Sequence, residues 1–386
     1  MARHKKGHVL LLALVIIAIG ALIMGALLLY LNTSMSASEK SEERALTYYA
    51  ADSGFEDAYF WLQQDMDLAG WTETGNSSWE REQPIEINDR TVDVSVVEDF
   101  DNQTYKITST ATKTDSGEST TIESYVLKSQ LNLSAFGADA ITSNCSVKVQ
   151  PQAGGEGDII GDIRYEPTCN ITCIDDPSCE TFITNGTVVA DPPPPGIEWW
   201  PEAEELQYVF GYLAKDAYTF TEDTLDVSVH SNIGPLYRDG DLEITSTVKY
   251  VDLFLDGIIY VTGNLIIGAQ AQPFTLHLGN QTIFVEGYIK VGGKTTITGS
   301  GSIIALGDIT FQPNMESGEN DFIFIMSVEG EVKLLPDGDF WGAVAANDHV
   351  QVQPRDIVGH RDPEGVGFEF PGSDPIIDVL TYNIIK

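Results

Sequence analysis

The longest apolar stretch of the chain begins close to its N-terminus. Residues 9–31 carry no charged side chain, and an apolar helix of about 20 residues is long enough to cross the hydrocarbon core of a bilayer. We therefore predict a transmembrane helix over residues 9–31. A cleaved secretory signal is the alternative, although its apolar region is shorter, about 7 to 15 residues, and Ser34-Met35-Ser36 matches a cleavage site poorly.

The helical pattern continues beyond the apolar stretch. Residues 38–64 contain no proline, and apolar side chains such as Leu46, Tyr49 and Trp61 recur at helical spacing. Gly54 lies within this pattern, and glycine in a helix interior costs about 1 kcal/mol. We therefore expect Gly54 to mark close packing of the helix against another element.

Three segments of alternating polarity follow the helix. They are Thr91–Val97, Tyr105–Thr112 and Thr120–Gln130, and turn residues separate them. An alternation of period two places the apolar side chains on one face of a strand. The pattern predicts a three-stranded antiparallel sheet packed on the helix, in a module over residues 32–135.

A repeat of short apolar segments and glycine corners occupies the rest of the chain. Ile259–Ile267, with Gly263 at its centre, recurs as Ile283–Val291 and as Ile303–Phe311. The other corners of this kind are Gly240, Gly330 and Asn347. Such repeats without an intervening helix are typical of β-solenoids, and Gly and Asn tolerate the positive φ of tight corners. We predict a parallel β-solenoid over residues 136–386, right-handed by the usual chirality of crossovers; a β-sandwich is the alternative.

One segment, over residues of about 165–220, interrupts the repeat. It contains three cysteines, the stiff run Pro192–Pro195 and a helical pattern over residues 201–217. We predict that this excursion packs across the solenoid. We interpret the pair Trp199-Trp200 as its anchor, with an exposed sugar-binding platform as the alternative.

The charge distribution predicts the orientation and excludes one class of partner. Arg3, Lys5 and Lys6 precede the apolar stretch, so the positive-inside rule places residues 1–8 in the cytoplasm and the body outside the cell. The chain has 21 Lys and Arg against 58 Asp and Glu, a formal net charge of −37. Because such a surface repels nucleic acid, we expect a membrane partner and no nucleic-acid partner.

The four cysteines and the Asn-x-Ser/Thr sequons fit an exported body. Cys145, Cys169, Cys173 and Cys179 are clustered and predict two disulfides, with three possible connectivities; zinc is the alternative, but the spacing fits it poorly. A sequon also begins at Asn32. The predicted N-glycosylation sites are Asn76, Asn102, Asn132, Asn144, Asn170, Asn185 and Asn280. A composition rich in Asn and Thr would also produce sequons.

Two segments carry a resemblance to a known family. Lys5-Lys6-Gly7 precedes the apolar stretch, and Tyr48–Ala58, with the sequence YYAADSGFEDA, follows it. Over about residues 1–130 the chain resembles the PilX-like minor pilins of type IV filament systems. The resemblance implies a long helix with a small sheet, and cleavage after Gly7 that leaves His8 as the N-terminus. Leu12 stands where major pilins have a glutamate, so the resemblance favours a tip, initiating or stand-alone role.

No nucleophile, base and orienting group stand together in the sequence, so we predict a non-enzymatic protein without a cofactor. A polysaccharide-degrading enzyme is an alternative, and it would need carboxylates gathered around a basic partner such as Arg238, Lys290 or Lys333. Asp-Gly-Asp corners, at residues 239–241 and 337–339, offer calcium ligands but are also ordinary turn chemistry, so we predict no metal site. His230, His277 and His349 are isolated in the sequence.

The sequence thus predicts an α+β chain: a long N-terminal transmembrane helix with a small antiparallel sheet, followed by a right-handed parallel β-helix. We predict a structural, pilin-like cell-surface protein, with the membrane, other pilin-like subunits, the filament assembly machinery and surface glycans as partners. A membrane-anchored adhesin or glycan-binding protein without a filament is the alternative.

Overall fold

The computed structural model confirms the predicted fold class, with a long apolar helix, a small antiparallel sheet and a parallel β-solenoid. The structure describes residues 5–64, 69–75, 77–99, 104–129, 131–150, 157–165, 171–173, 183–189, 200–268, 272–316, 318, 320–373 and 376–385. The chain divides into two compact units, Met1–Lys128 with Ile377–Lys386, and Ser129–Ile376. The two units are described in turn.

The first unit combines one long helix with one antiparallel sheet. The helix is α1 (Lys5–Gln63), and the strands are β1 (Trp71–Glu73), β2 (Ser78–Arg81), β3 (Ile85–Ile87), β4 (Arg90–Asp99), β5 (Thr104–Lys113) and β6 (Ser119–Ser129). The three predicted strands are β4, β5 and β6. The described sheet has seven strands in the order β1-β2-β4-β5-β6 and then the C-terminal strand Ile376–Ile385, with β3 paired to β4.

The second half of α1 packs on this sheet. Its buried side chains include Ala50, Phe55 and Trp61, which lie in one cluster with sheet residues such as Ile107. At Gly54 a methyl group would lie 2.7 Å from Val92 Cγ1, so only glycine allows the helix to approach this closely. The expectation that Gly54 marks close packing is confirmed.

The C-terminal strand corrects the predicted domain boundary. The predicted solenoid includes all of residues 136–386, but Ile376–Ile385 pairs with β6 in the antiparallel sheet. The Tyr59 hydroxyl donates to Ile377 O at 3.1 Å, and the Ser124 hydroxyl donates to Thr381 O at 2.5 Å. Alternation of apolar residues predicts a strand here, but it does not name the strand that pairs with it.

The second unit is the solenoid. Its elements are β7 (Ile141–Ser143), β8 (Ser146–Val149), β9 (Asp158–Ile160), β10 (Ile163–Tyr165), β11 (Ile171–Cys173), β12 (Ile183–Thr184), β13 (Val188–Val189), α2 (Ala203–Leu213), β14 (Tyr218–Thr219), β15 (Thr224–Asp226), β16 (Ser231–Ile233), β17 (Leu236–Arg238), β18 (Leu242–Thr245), β19 (Val251–Leu255), β20 (Ile259–Val261), β21 (Leu265–Ile267), β22 (Phe274–His277), β23 (Gln281–Val285), β24 (Ile289–Val291), β25 (Thr295–Thr298), β26 (Gly301–Ala305), β27 (Ile309–Phe311), β28 (Asn314–Met315), β29 (Ile323–Ser327), β30 (Val332–Leu334), β31 (Phe340–Ala346), β32 (His349–Val352) and β33 (Ile357–Gly359), with 3₁₀ turns at Ser134–Gly137 and Glu364–Val366. Every described pairing between these strands is parallel, as predicted.

Three faces run along the solenoid. The covered face contains β14, β17, β20, β23, β26, β29, β31, β7 and β10; the lysine face contains β15, β18, β21, β24, β27, β30, β32, β8 and β11; the third face contains β16, β19, β22, β25 and β28. The predicted repeat is correct in register, because Ile259 pairs with Ile283 and Ile283 pairs with Ile303. Alternate side chains such as Val285 and Ile289 point into one continuous aliphatic core.

The coils do not stack in the order of the sequence. Strands β31 and β32 at the end of the repeat pair with β7 and β8 at its beginning, and β10 and β11 continue beyond them. The coil that contains β14 and β15 therefore lies at the opposite end of the solenoid. The segment between β13 and β14 connects the two ends, which explains the excursion that the sequence showed as an interruption.

Helix α2, part of the predicted excursion, packs across the covered face as expected. Phe210 stacks on Phe284 with ring centroids 4.4 Å apart, and Leu206 and Val209 are buried in the same cluster. This face is therefore apolar on both sides of the sheet.

Candidate functional surfaces

The first half of α1 exposes its apolar side chains. Within the described part of the chain, α1 is long and apolar enough to cross a membrane, and the side chains of residues 12–31 are exposed. The predicted processing residues Gly7 and His8 lie within α1, although their side chains are outside the described set. Large exposed apolar surfaces commonly mark sites of contact with lipid or with another apolar surface.

An open groove of about 570 Å³ lies beside the middle of α1 in the first unit. Its lining includes Arg44, Tyr48 and Tyr49 of the helix, Glu118 near the sheet and Ile384 of the C-terminal strand. Both apolar and charged side chains line the groove. Its lining residues do not include a nucleophile, a base and an orienting group close together.

The cysteines are described only in part. Cys145 lies at the corner between β7 and β8, and the backbone of Cys173 lies in β11, one coil further on. Cys169 and Cys179 lie outside the described residues. The two disulfides remain a prediction.

The sequons differ in accessibility. Asn132, Asn185 and Asn280 are exposed. The Asn144 side chain is half-buried, and its Nδ2 donates to Asn347 Oδ1 at 2.7 Å. Asn76, Asn102 and Asn170 lie outside the described residues.

At the stacked corners Gly263 and Gly287, glycine is needed because neighbouring coils approach each other closely, and not because the backbone has a positive φ. A methyl group on Gly263 would lie 2.5 Å from Asp241 N, and one on Gly287 would lie 2.6 Å from Gly263 O. Among the predicted corners, Gly240 has a φ of 104°, whereas Asn347 is not among the described residues with positive φ. The sequence prediction of glycine corners is correct, but its physical reason was wrong for Gly263 and Gly287.

Carboxylates at the corners bind the next coil. Asp241 Oδ1 accepts the Asn264 backbone N–H at 2.8 Å and its side-chain amide at 3.0 Å. Asp308 Oδ1 accepts the Glu331 N–H at 2.9 Å. Asp339 Oδ1 accepts the Ile357 N–H at 3.1 Å. The Asp-Gly corners therefore act as turn and stacking elements, which agrees with the interpretation preferred from the sequence.

The lysine face carries a row of outward side chains in its middle. Consecutive pairings align Lys148 with Gln351, Gln351 with Lys333, Lys333 with Thr310, and Thr310 with Lys290. Each lies between two buried neighbours of its own strand, so each side chain points outward. We call these five residues the lysine row. The sequence showed the lysines as scattered, because they come from coils that are far apart in the chain.

The row contains only some of the basic residues considered for an enzyme. Lys290 and Lys333 lie two coils apart in it, but Arg238 lies on the covered face and donates to Thr221 O at 2.7 Å and to Asp241 O at 2.9 Å. The structure thus places Lys148, rather than Arg238, in line with Lys290 and Lys333.

Two histidines predicted to be isolated share one carboxylate. His230 Nδ1 lies 2.8 Å from Asp252 Oδ2, and His277 Nε2 lies 3.2 Å from Asp252 Oδ1. Burial raises the pKa of Asp252, but the hydrogen bonds and charges of the two histidines outweigh it and hold this pKa below its usual value. The His277 ring also stacks on Phe254, with centroids 4.2 Å apart. In the sequence, Asp252 follows His230 by about one coil, and His277 follows Asp252 by about one coil. This spacing was the signal that could have predicted the cluster.

His349 also has polar neighbours. Ser146 Oγ lies 2.8 Å from His349 Nδ1, and the potential ligand atoms of Cys145, Asp348 and His349 lie within 4.8 Å of one another. These residue types can bind zinc. Cys145 is also one of the predicted disulfide cysteines, so two chemistries compete for the same sulfur.

Trp200 packs as an anchor of the excursion. Its ring centroid lies 4.6 Å from that of Phe136, and the side chain is half-buried. This contact favours the anchor interpretation over the sugar platform. Trp199 lies outside the described residues.

Some solved structures resemble the chain at low sequence identity. LeIBP, an ice-binding protein from an Arctic yeast, aligns with a TM-score of 0.30 and 14% identity over 60% of this chain and 95% of that chain. An ice-binding protein from an Antarctic biological consortium aligns with a TM-score of 0.23 and 16% identity over 58% of this chain and 92% of that chain. No family model matches the chain, and no curated protein matches it. No conclusion about ligand or activity follows from similarity at this level.

Proposed function

We propose that the chain is a membrane-anchored, pilin-like cell-surface protein that presents its solenoid outside the cell. The observation that carries this proposal is the two-part character of α1. Residues 12–31 expose apolar side chains, whereas Ala50, Phe55 and Trp61 of the same helix are buried under the sheet. The first half of α1 therefore anchors the chain in the membrane, and the second half packs against the sheet of a folded module.

The charge of the chain supports the orientation. Basic residues before the apolar stretch hold the N-terminus on the cytoplasmic side. Three of the 21 basic residues and none of the 58 acidic residues precede the apolar stretch, so the segment after it carries 18 minus 58, or −40. Exposed sequons at Asn132, Asn185 and Asn280 suit a body that passes through an export pathway.

The packing of the Tyr48–Ala58 segment supports the pilin-like part of the proposal. Ala50, Ala51 and Ala58 are fully buried, and Gly54 allows close contact with the sheet. The segment that carries the resemblance therefore lies where helix and sheet meet. Other pilin-like subunits and the assembly machinery would engage the exposed apolar half of α1, and Leu12 in place of a glutamate favours a tip, initiating or stand-alone role.

The N-terminus of the native protein tests the pilin-like part. The protein is extracted from membranes, and its mass and N-terminal peptide are determined. A chain that begins at His8 is the expected result, and Gly7→Leu should prevent the cleavage. A chain that retains Arg3 would overturn filament-type processing and leave an adhesin or other anchored surface protein as the better account.

A further inference from the structure

We propose that the lysine row is a binding surface for a linear acidic polysaccharide. The inference goes beyond the proposed function, because binding is a property of the solenoid alone. It begins from an unusual feature of the surface: in an acidic chain, Lys148, Lys290 and Lys333 fall into one line although the sequence separates them widely.

The spacing of the row suits a polymer with regularly placed charges. Neighbouring strands in a sheet lie about 4.8 Å apart. The order Lys148, Gln351, Lys333, Thr310, Lys290 therefore repeats an ammonium group about every 10 Å, with a neutral hydrogen-bonding side chain between successive lysines. A polyuronate carries one carboxylate on each sugar ring and hydroxyl groups between them, so its charges and its hydrogen-bonding groups recur along an extended line.

The lysines are available for a ligand to different degrees. Lys148 and Lys290 are exposed, and neither forms an ion pair with any residue that the structure describes. Lys333 pairs with Glu331 of its own strand region, so a ligand carboxylate would have to replace that partner. Exposed ion pairs of this kind contribute little to stability, so replacing Glu331 by a ligand carboxylate costs little free energy.

A second row beside the lysines offers amide groups. Gln150, Gln353 and Gln312 follow directly after β8, β32 and β27. Gln353 Nε2 lies 3.4 Å from Gln150 Oε1, so these two side chains line the same edge of the face. Leu335, which follows directly after β30, separates them from Gln312. Amides donate and accept hydrogen bonds, which suits sugar hydroxyls.

The overall charge selects the kind of polyanion. A net charge of −37 repels any polyanion at long range, but at physiological salt this repulsion is screened beyond about 8 Å. A polymer with modest charge density can then gain from the row by several weak contacts made together. A densely charged polymer such as nucleic acid remains disfavoured.

The test measures binding of polygalacturonate to the full-length chain in detergent micelles at about 0.15 M NaCl. The ligand control is the methyl ester of the same polymer, which keeps the backbone and removes the charge. We expect binding of polygalacturonate and none of the ester. The combined variant Lys148→Gln, Lys290→Gln and Lys333→Gln should weaken binding at least about tenfold.

A matched control variant separates the row from net charge. Lys215→Gln, Lys249→Gln and Lys294→Gln remove the same three charges elsewhere on the solenoid unit, and binding should change less than about twofold. Equal loss in both variants, equal binding of the ester, or no binding to the intact chain would overturn the proposal. Self-association that only the row variant abolishes, without polymer binding, would overturn it in favour of a second copy of the chain. None of these outcomes bears on the membrane anchor.

Discussion

Asp241 Oδ1 accepts a hydrogen bond from the backbone N–H of Asn264 in the neighbouring coil, and the oxygen and nitrogen atoms lie 2.8 Å apart. The next corner repeats the arrangement, because Asn264 Oδ1 accepts the Tyr288 N–H at 3.1 Å. Corner side chains therefore satisfy backbone donors that the strand ladders leave unpaired, since each ladder ends at the corner. Asp241 and Asn264 thus both help to hold neighbouring coils together.

The corner bond at Asp241 should protect one backbone group. Asp241→Ala removes the acceptor, and we expect a loss of about 1 kcal/mol together with faster hydrogen exchange of the Asn264 N–H. Hydrogen exchange followed by mass spectrometry measures this directly. Asp241→Asn keeps an oxygen acceptor at the same place and should preserve most of the protection. Equal exchange in all three proteins would show that the carboxylate has no stacking role.

Close approach at the glycine corners predicts a contrast between two glycines of the solenoid. Gly287→Ala places a methyl group 2.6 Å from Gly263 O, and we expect a loss of about 1–3 kcal/mol in the free energy of unfolding. Gly211 lies in α2 with nothing within 4 Å of an added methyl group, so Gly211→Ala should stabilise the chain by up to about 1 kcal/mol. Urea unfolding of both variants compares them. Similar effects at the two positions would contradict the close-approach explanation.

The helix of the first unit offers a second contrast. Gly54→Ala would force α1 away from Val92 and should lower the free energy of unfolding of this unit by about 1–3 kcal/mol. Gly25→Ala meets no neighbouring atom within 4 Å and should not lower that free energy. Trp61 is buried in the helix–sheet core, so tryptophan fluorescence during urea unfolding reports the difference. A neutral Gly54→Ala variant would mean that α1 does not pack as described.

The two histidines on Asp252 predict an acid-sensitive contribution to stability. A carboxyl group with a lowered folded-state pKa contributes stability above its unfolded value of about 3.9, and that contribution is lost as pH falls through the folded value. Asp252→Asn should therefore be less stable than the parent at pH 5. The difference should shrink as pH falls below about 4. A difference that stays constant across this range would contradict the assigned interaction.

Much of the fold follows from local pattern. The apolar stretch, the close packing at Gly54, the three long strands and the register of the coils around Gly263 and Gly287 were all predictable, because each depends on spacing within one segment. The match of Ile259 to Ile283 is an example, since both positions recur at the length of one coil.

The stacking order and the C-terminal strand were not predictable from the sequence. Coils bind each other mainly through backbone hydrogen bonds, and these are the same whichever coil is the neighbour. Nothing in Val344 or Ile141 specifies that they pair. The lysine row depends on that order, because Lys148 reaches Lys333 only through the return of the chain. The handedness of the solenoid stays a prediction.

The topology of the chain in the membrane tests the central claim most directly. Two variants, Gln312→Cys and Ala2→Cys, are treated in intact cells with a membrane-impermeant maleimide; Ala2→Cys is made together with Gly7→Leu, which keeps residues 1–7 on the chain. Each labelled peptide is identified by mass spectrometry, which distinguishes the introduced cysteine from the native ones. We predict labelling of the Gln312→Cys variant in intact cells and of the Ala2→Cys variant only after lysis. Labelling of the Ala2→Cys variant in intact cells, with the Gln312→Cys variant protected until lysis, would contradict a helix that anchors an external solenoid.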